Sequence, residues 1–178
     1  MTKILQLKIS LMGMRLPVWR RVLVKDSISF HDLHNIIQKV MGWTNTHLFE
    51  FDMGDLSIGT PQEDFGDEVQ DAKKIKINKI FFEKAQKLGY TYDFGDCWEH
   101  LILIEDVLNK DETQRYPICI AGKRACPPED CGGIGGYEEI LEASKDKNHP
   151  EHEEWANIAD PEELDIDYVN ECLKRIEK

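Results

Sequence analysis

The first third of the chain contains three stretches in which apolar and polar residues alternate. Residues 4–11, 18–24 and 47–53 follow this period of two, which is typical of half-buried strands. Gly13 and Pro17 lie between the first two stretches. Because glycine and proline favour turns, we expect the first two strands to form a hairpin.

One amphipathic helix is predicted between the second and third strands. Ser29 precedes the segment and Asp32 follows three residues later, a shortened form of the capping box that starts many helices. Gly42 is a typical residue at a helix end. The order β-β-α-β is compatible with a β-grasp-like arrangement. The apolar stripe of this helix consists of Phe30, Leu33, Ile36, Ile37, Val40 and Met41.

The second half contains two further strand signals and an acidic end. Residues 90–94 and 98–108 are rich in aromatic and aliphatic side chains, and Gly95-Asp96 predicts a turn between them. Residues 54–74 predict a connector with one short strand, and periodicity leaves 76–89 open between helix and strand. Helices are predicted at 137–144, 151–160 and 167–178.

These elements predict an α+β fold. Its first half is a hairpin-helix-strand, β-grasp-like unit joined to further antiparallel strands, and acidic helices follow at the C-terminus. The 178 residues, 41% of them hydrophobic, are enough for one substantial core. We expect a single domain over residues 1–178, with an α+β core at 1–137 and an acidic helical tail at 138–178 packed on it.

The charge and the cysteine content indicate the cellular compartment of the protein and the kinds of partner that it could bind. The net charge is −12, yet residues 1–40 carry seven lysines and arginines against two acids. Arg15, Arg20 and Arg21 of the hairpin are therefore candidates to bind an unknown protein or nucleic-acid partner. The alternative is that they face the acidic tail of the chain itself. An odd number of cysteines, with no export signal and no apolar stretch of membrane-spanning length, predicts a cytoplasmic protein that does not enter a membrane.

The cysteines provide one candidate metal site. Cys119, Cys126 and Cys131 have the spacing C-x6-C-x4-C, and thiolates with an imidazole suit tetrahedral zinc. His100 or His47 would then supply the fourth ligand. The alternative is that Cys119 ends a strand in the core while the other two cysteines pack their loop.

Other motifs in these segments lack the partners that their chemistry needs. Asp93-Phe94-Gly95 resembles a kinase motif, but no glycine-rich loop, β3 lysine or catalytic loop precedes it. Residues 132–136 are rich in glycine but match neither nucleotide-binding pattern. A nucleophilic thiol is the remaining alternative. Cys131, beside a predicted helix start, is its best candidate.

Four segments in this order resemble the plasmid pRiA open-reading-frame-three-like family, which also includes passenger genes of insertion elements. They are LPVWRRVLV, SFHDLHNIIQKVMGWTNTHLFEF, YDFGDCWEHLILIE and PICIAGKRACPPEDCGGIGGYEEIL. The resemblance extends over residues 4–175. It implies an α+β domain and, for some members, an association with mobile elements, but it brings no assigned biochemical activity.

We therefore expect a non-enzymatic binding or accessory module linked to mobile elements. Its working surface is expected where YDFGDCWEH meets ACPPEDCGG, because each irregular segment needs a neighbour to hold it. The alternative is a metal-dependent or thiol enzyme at the same two turns, with zinc as the candidate cofactor. The candidate surface residues are Asp93, Asp96, Trp98, His100, Glu129, Asp130 and Tyr137.

Overall fold

The computed structural model describes residues 2–61, 69–158 and 160–176. These residues build one sheet of eight strands in the order β5-β4-β3-β6-β7-β1-β2-β8. All neighbouring strands are antiparallel except β4 and β5, which are parallel. The strands are β1 Lys3–Leu11, β2 Trp19–Lys25, β3 Phe49–Asp52, β4 Ser57–Gly59, β5 Val69–Asp71, β6 Lys87–Tyr92, β7 Trp98–Asn109 and β8 Ile118–Lys123.

Four α-helices accompany the sheet within the described residues. The Ser29 hydroxyl accepts from the Asp32 amide and the Asp32 carboxylate accepts from the Ser29 amide, so the predicted capping box is present. Gly42 ends the same helix with a left-handed backbone (φ 89°), as expected of a C-terminal glycine. The helices are α1 Phe30–Met41, α2 Gly133–Lys145, α3 His152–Trp155 and α4 Ile166–Lys174, and a 3₁₀ turn spans Ile77–Lys79.

The core lies between α1 and one face of the sheet. The apolar stripe of α1 is buried against alternate residues of the central strands, among them Leu7, Ile9 and Ile102. The C-terminal helix α4 adds Val169 and Leu173 to the same core. Within the described ranges, no helix has the length and apolarity needed to cross a membrane.

The α+β prediction is confirmed, and the two halves of the chain interleave in one sheet. Strand β3 does not pair with the β1–β2 hairpin, because β6 and β7 lie between them. Helix α2 begins at Gly133 and not at Tyr137, and the first tail helix contains only the four residues of α3. Of the predicted connector, residues 62–68 lie outside the described residues, and the remainder contains two short strands, β4 and β5, where one was predicted.

Two of the three arginines proposed to bind a partner make contacts within the protein, and the prediction is wrong for the buried Arg20. Arg20 is 2% exposed, and its guanidinium donates to the carbonyl oxygens of Trp19, Val40 and Lys123. Burial lowers the pKa of Arg20. Arg21 forms an ion pair with Glu105, which leaves Arg15 as the exposed member of the three.

The free edge of β8 is covered by an asparagine of α4. The Asn170 carboxamide accepts from the Cys119 amide at 2.8 Å and donates to the Cys119 carbonyl at 2.9 Å. These two bonds reproduce what a further strand would provide. They satisfy backbone groups that otherwise make an edge strand a template for unwanted pairing.

Replacing Asn170 by alanine is expected to lower the free energy of unfolding by about 2 kcal/mol, because both backbone groups of the buried Cys119 lose their partner. Urea unfolding measures this change. Asn148→Ala is the control, since Asn148 is exposed in the loop after α2. Equal losses in the two variants would mean that water replaces the Asn170 amide without cost.

Candidate metal centre

Three irregular segments meet at one end of the sheet, and we call this region the junction. It consists of residues 43–47 between α1 and β3, residues 93–97 between β6 and β7, and residues 124–132 before α2. The predicted contact between the last two is present, because the Gly132 amide donates to the Asp96 carboxylate at 3.2 Å. The segment at 43–47 was not predicted to lie there.

Strand pairing brings the first two segments together. The β3–β6 ladder pairs Phe49 with Tyr92, and the Asp93 amide donates to the Leu48 carbonyl at 2.9 Å just beyond its end. His47 and Asp93 therefore become neighbours although 46 positions separate them in the sequence.

Glycines allow two close backbone approaches at the start of α2, one to the second segment and one to the end of the third. A Cβ on Gly133 would lie 2.5 Å from the Asp96 carbonyl oxygen, and one on Gly136 would lie 1.8 Å from that of Cys131. Real Cβ atoms do not come so close to backbone oxygens. Both contacts therefore require residues without a side chain.

His47, Asp93 and Asp130 place their ligand atoms together at the centre of the junction. The Nε2 atom of His47 lies 2.8 Å from Oδ1 of Asp130 and 3.6 Å from Oδ2 of Asp93. Asp93 is 8% exposed, whereas the side chains of His47 and Asp130 reach solvent. The ligand atoms of these three residues all lie within 4.8 Å of one another, and no other three His, Cys, Asp or Glu residues among the described ones do so.

Glu129 fixes the loop that carries Asp130. One oxygen of its carboxylate accepts from the Tyr92 hydroxyl at 2.6 Å, and the other accepts from the amide and hydroxyl of Thr44 at 2.7 and 2.6 Å. Burial opposes ionisation of this carboxyl, but the hydrogen bonds from Thr44 and Tyr92 outweigh it and lower the pKa of Glu129. Glu129 is thus an ionised anchor that joins its own loop to residues 43–47 and to the end of β6.

Left-handed backbone conformations are concentrated in the junction. Outside glycine, positive φ angles occur there at Asn45, Asp93, Cys97, Arg124 and Asp130, and elsewhere in the described residues only at Ala85. Such conformations cost free energy unless the surroundings impose them, and they are frequent at functional sites. Two of the three central ligand residues, Asp93 and Asp130, have this conformation.

Three of the predicted surface residues lie in the interior instead. Trp98 is fully buried, and His100 and Tyr137 are each 3% exposed. Trp98 and His100 face inward because they alternate with the exposed Glu99 along β7. These residues lie beneath the junction. There the His100 ring packs edge-on against Trp43, and its Nδ1 atom donates a hydrogen bond to the Trp98 carbonyl.

The predicted zinc ligands are not brought together among the described residues. Cys119, Cys126, Cys131 and His100 do not form a group whose ligand atoms lie within 4.8 Å of one another. His100 is held in the core, as described above, and Cys119 is buried within β8. His47, considered from the sequence only as a fourth ligand for the cysteines, instead meets two aspartates.

The thiols of Cys126 and Cys131 are poor nucleophiles at neutral pH. Burial raises the pKa of Cys126 to about 12 and that of Cys131 to about 11. The carboxylate of Asp96 adds to the effect on Cys131. Since the thiolate is the reactive form, the arrangement opposes the thiol enzyme considered from the sequence.

Comparisons with known proteins agree with the resemblance in the sequence. The chain is 39% identical over 161 residues to an uncharacterised protein of Sinorhizobium fredii, with 88% of this chain and 82% of that protein covered. It is 40% identical to a protein of unknown function from Methanosarcina mazei Go1. That crystal structure superimposes with a TM-score of 0.86 over 93% of this chain and 97% of the other. The family described as plasmid pRiA4b ORF-3-like protein matches residues 3–171, and the chain belongs to this family.

Proposed function

We propose that this protein is a metal-binding module whose junction holds a divalent transition-metal ion through His47, Asp93 and Asp130. The observation that carries the proposal is the convergence of one imidazole and two carboxylates from three separate segments. Among the described residues, the ion pairs of both aspartates are with His47 alone. A bound cation would offset the remaining negative charge.

The ligand types select the class of ion. Imidazole nitrogen suits zinc and other transition metals, whereas Mg²⁺ prefers oxygen ligands and retains its waters. Three protein ligands leave coordination positions for water or for a group of a partner molecule. The metal-dependent enzyme considered from the sequence would therefore use this same site, with the cysteines taking no part.

The junction is also built to hold its ligands in place. Glu129 links Tyr92 and Thr44, and the Trp43 indole donates to the Pro127 carbonyl at 2.9 Å. Such supporting bonds orient ligands and raise affinity for a metal. We propose that this rigid surface serves a binding or accessory role linked to mobile elements, in a single cytoplasmic domain. The five free cysteines support a reducing compartment.

Zinc titration into metal-free protein tests the proposal. Isothermal titration calorimetry is expected to give about one equivalent of Zn²⁺, and weaker binding of Mg²⁺. His47→Ala and Asp93→Asn are each expected to weaken Zn²⁺ binding at least tenfold, which corresponds to about 1.4 kcal/mol. Each variant removes one of three ligands.

Two control variants test whether zinc binds at this site or through other histidines and cysteines. His31→Ala removes a histidine of α1 outside the group, and Cys126→Ser removes the centre of the cysteine pattern. Both are expected to bind Zn²⁺ as the wild type does. Loss of zinc in Cys126→Ser with retention in His47→Ala would overturn the proposal in favour of the cysteine site.

A further inference from the structure

A second site lies away from the junction, at a cavity of about 690 Å³ between α1, α4, the end of β2 and the β7–β8 loop. This volume is in the range of small-molecule sites, which are typically apolar with a few convergent polar groups. None of the residues of the junction lines it. It therefore requires its own interpretation.

The floor of the cavity is apolar and formed by helices that are anchored in the core. Ile36 of α1 and Leu173 of α4 are each 2% exposed, and Ile28, Pro117 and Ile176 extend the apolar wall outward. An apolar ligand of suitable size would remove from water its own apolar surface and the exposed parts of Ile28, Pro117 and Ile176. Burial of apolar surface is the main favourable contribution in such sites.

The charged residues at the mouth of the cavity differ in whether they already have a partner within the protein. Three cations line it: Lys25, Lys110 and Arg115. Two acids also line it, but Asp32 accepts from Ser29 in the capping box and Glu112 is paired with Lys110.

Lys25 and Arg115 are the cations left to bind a ligand. Lys25 forms no ion pair with any described residue, and the Arg115 guanidinium donates only to the carbonyl of Lys174 among them. In a chain of net charge −12, two cations that form no ion pair with a described residue and lie beside an apolar cavity are a notable feature. An arginine fork and a lysine ammonium both match a carboxylate.

We propose that this cavity binds a small amphipathic carboxylate, with its apolar part against Ile36 and Leu173 and its carboxylate between Lys25 and Arg115. This site is independent of the metal centre. Its occupant is defined by two properties, an apolar body and one negative head, and each can be varied separately.

Three probes with the same apolar tail test the assignment by calorimetry: octanoate, octan-1-ol and octylamine. Octanoate is expected to bind at least tenfold more tightly than the alcohol, and octylamine more weakly than either. Lys25→Gln combined with Arg115→Gln is expected to remove the advantage of octanoate while leaving the alcohol unchanged. Ile176→Trp, at the half-buried outer wall, is expected to weaken all binding by filling the cavity.

Lys87→Gln with Lys123→Gln is the matched control, because both lysines are exposed and neither lines the cavity. It is expected to leave octanoate binding unchanged. Equal affinity for octanoate and octan-1-ol, or octanoate binding that survives both the charge variant and Ile176→Trp, would overturn the proposal. Zinc binding is measured on the same variants, so failure here is distinguishable from failure of the metal centre.

Discussion

Replacing Gly136 by alanine is expected to lower the free energy of unfolding by about 3 kcal/mol, near the upper end for inserting a methyl group into filled space. The new Cβ would lie 1.8 Å from the Cys131 carbonyl oxygen and 2.8 Å from its carbon. Because these are backbone atoms of a loop held by Glu129 and Asp130, they cannot move aside independently. For a chain of this size the loss corresponds to a melting temperature lower by about 6–12 °C.

Gly135→Ala is the matched control for this substitution. Gly135 lies in the same first turns of α2, and a Cβ there would meet no atom within 4 Å. Since alanine is the better helix former, this variant is expected to be more stable by about 0.5–1 kcal/mol. Equal melting temperatures for the two variants would show that the close contact at Gly136 is not required.

The same pair of variants links stability to the proposed metal site. Displacing Cys131 also displaces Asp130, which is its neighbour in the chain and one of the three ligands. Gly136→Ala is therefore expected to bind Zn²⁺ more weakly at a temperature where it remains folded, whereas Gly135→Ala binds as the wild type does. Circular dichroism establishes that each variant is folded before the titration.

Helix α1 and strand β7 were predictable because their signals are local. Ser29, Asp32 and Gly42 define the ends of α1, and the spacing of its apolar residues defines its buried face. The run beginning at Trp98 forms the long strand β7, as its apolar content predicts. In both elements the residues that specify the structure lie within a few positions of one another.

The start of α2 was not predictable in the same way. Gly132, Gly133, Gly135 and Gly136 have low helix propensity, so local signals favour a later start at Tyr137. The helix nevertheless begins at Gly133. Glycine is required there by the close approach of Asp96, a residue distant in sequence, which a local propensity does not reveal.

The proposed metal site depends on strand order, which the sequence pattern does not reveal. Periodicity predicts that β3 and β6 are strands but not that they pair, and only their pairing brings His47 to Asp93. Arg20 was misassigned for a related reason. Its position in a strand places it on the face toward α1, where carbonyl oxygens replace water around the guanidinium.

The unfolding free energy is expected to fall by about 2 kcal/mol per buried histidine between pH 7 and pH 5, because two rings are held neutral. Burial lowers the pKa of His34 and of His100 to about 4, from an ordinary value of 6.5. His34 accepts from the Tyr90 hydroxyl at Nδ1 and donates to Asn45 from Nε2, which fixes the neutral ring. His100 has no partner for Nε2 among the described residues.

The direction of the change in stability with pH follows from the number of protons that the folded and unfolded states bind. In the folded protein these rings stay neutral down to about pH 4, whereas the unfolded chain takes up protons from about pH 6.5 downward. The unfolded state therefore binds more protons throughout this window, and stability decreases as the pH falls. Well above pH 6.5 the rings are neutral in both states, and the full contribution of each histidine is present.

His100→Phe isolates one of the two contributions. Phenylalanine has a similar shape, and the substitution loses only the bond from Nδ1 to the Trp98 carbonyl. Urea unfolding at pH 7 and pH 5 is expected to show a pH-dependent loss about 2 kcal/mol smaller in this variant than in the wild type, since the carboxylate contributions are common to both. Asn170→Ala, which removes a non-titrating side chain bonded to Cys119 and to neither histidine, is expected to retain the wild-type difference. An unchanged pH dependence in His100→Phe would mean that the ring at position 100 takes up a proton as readily in the folded protein as in the unfolded chain.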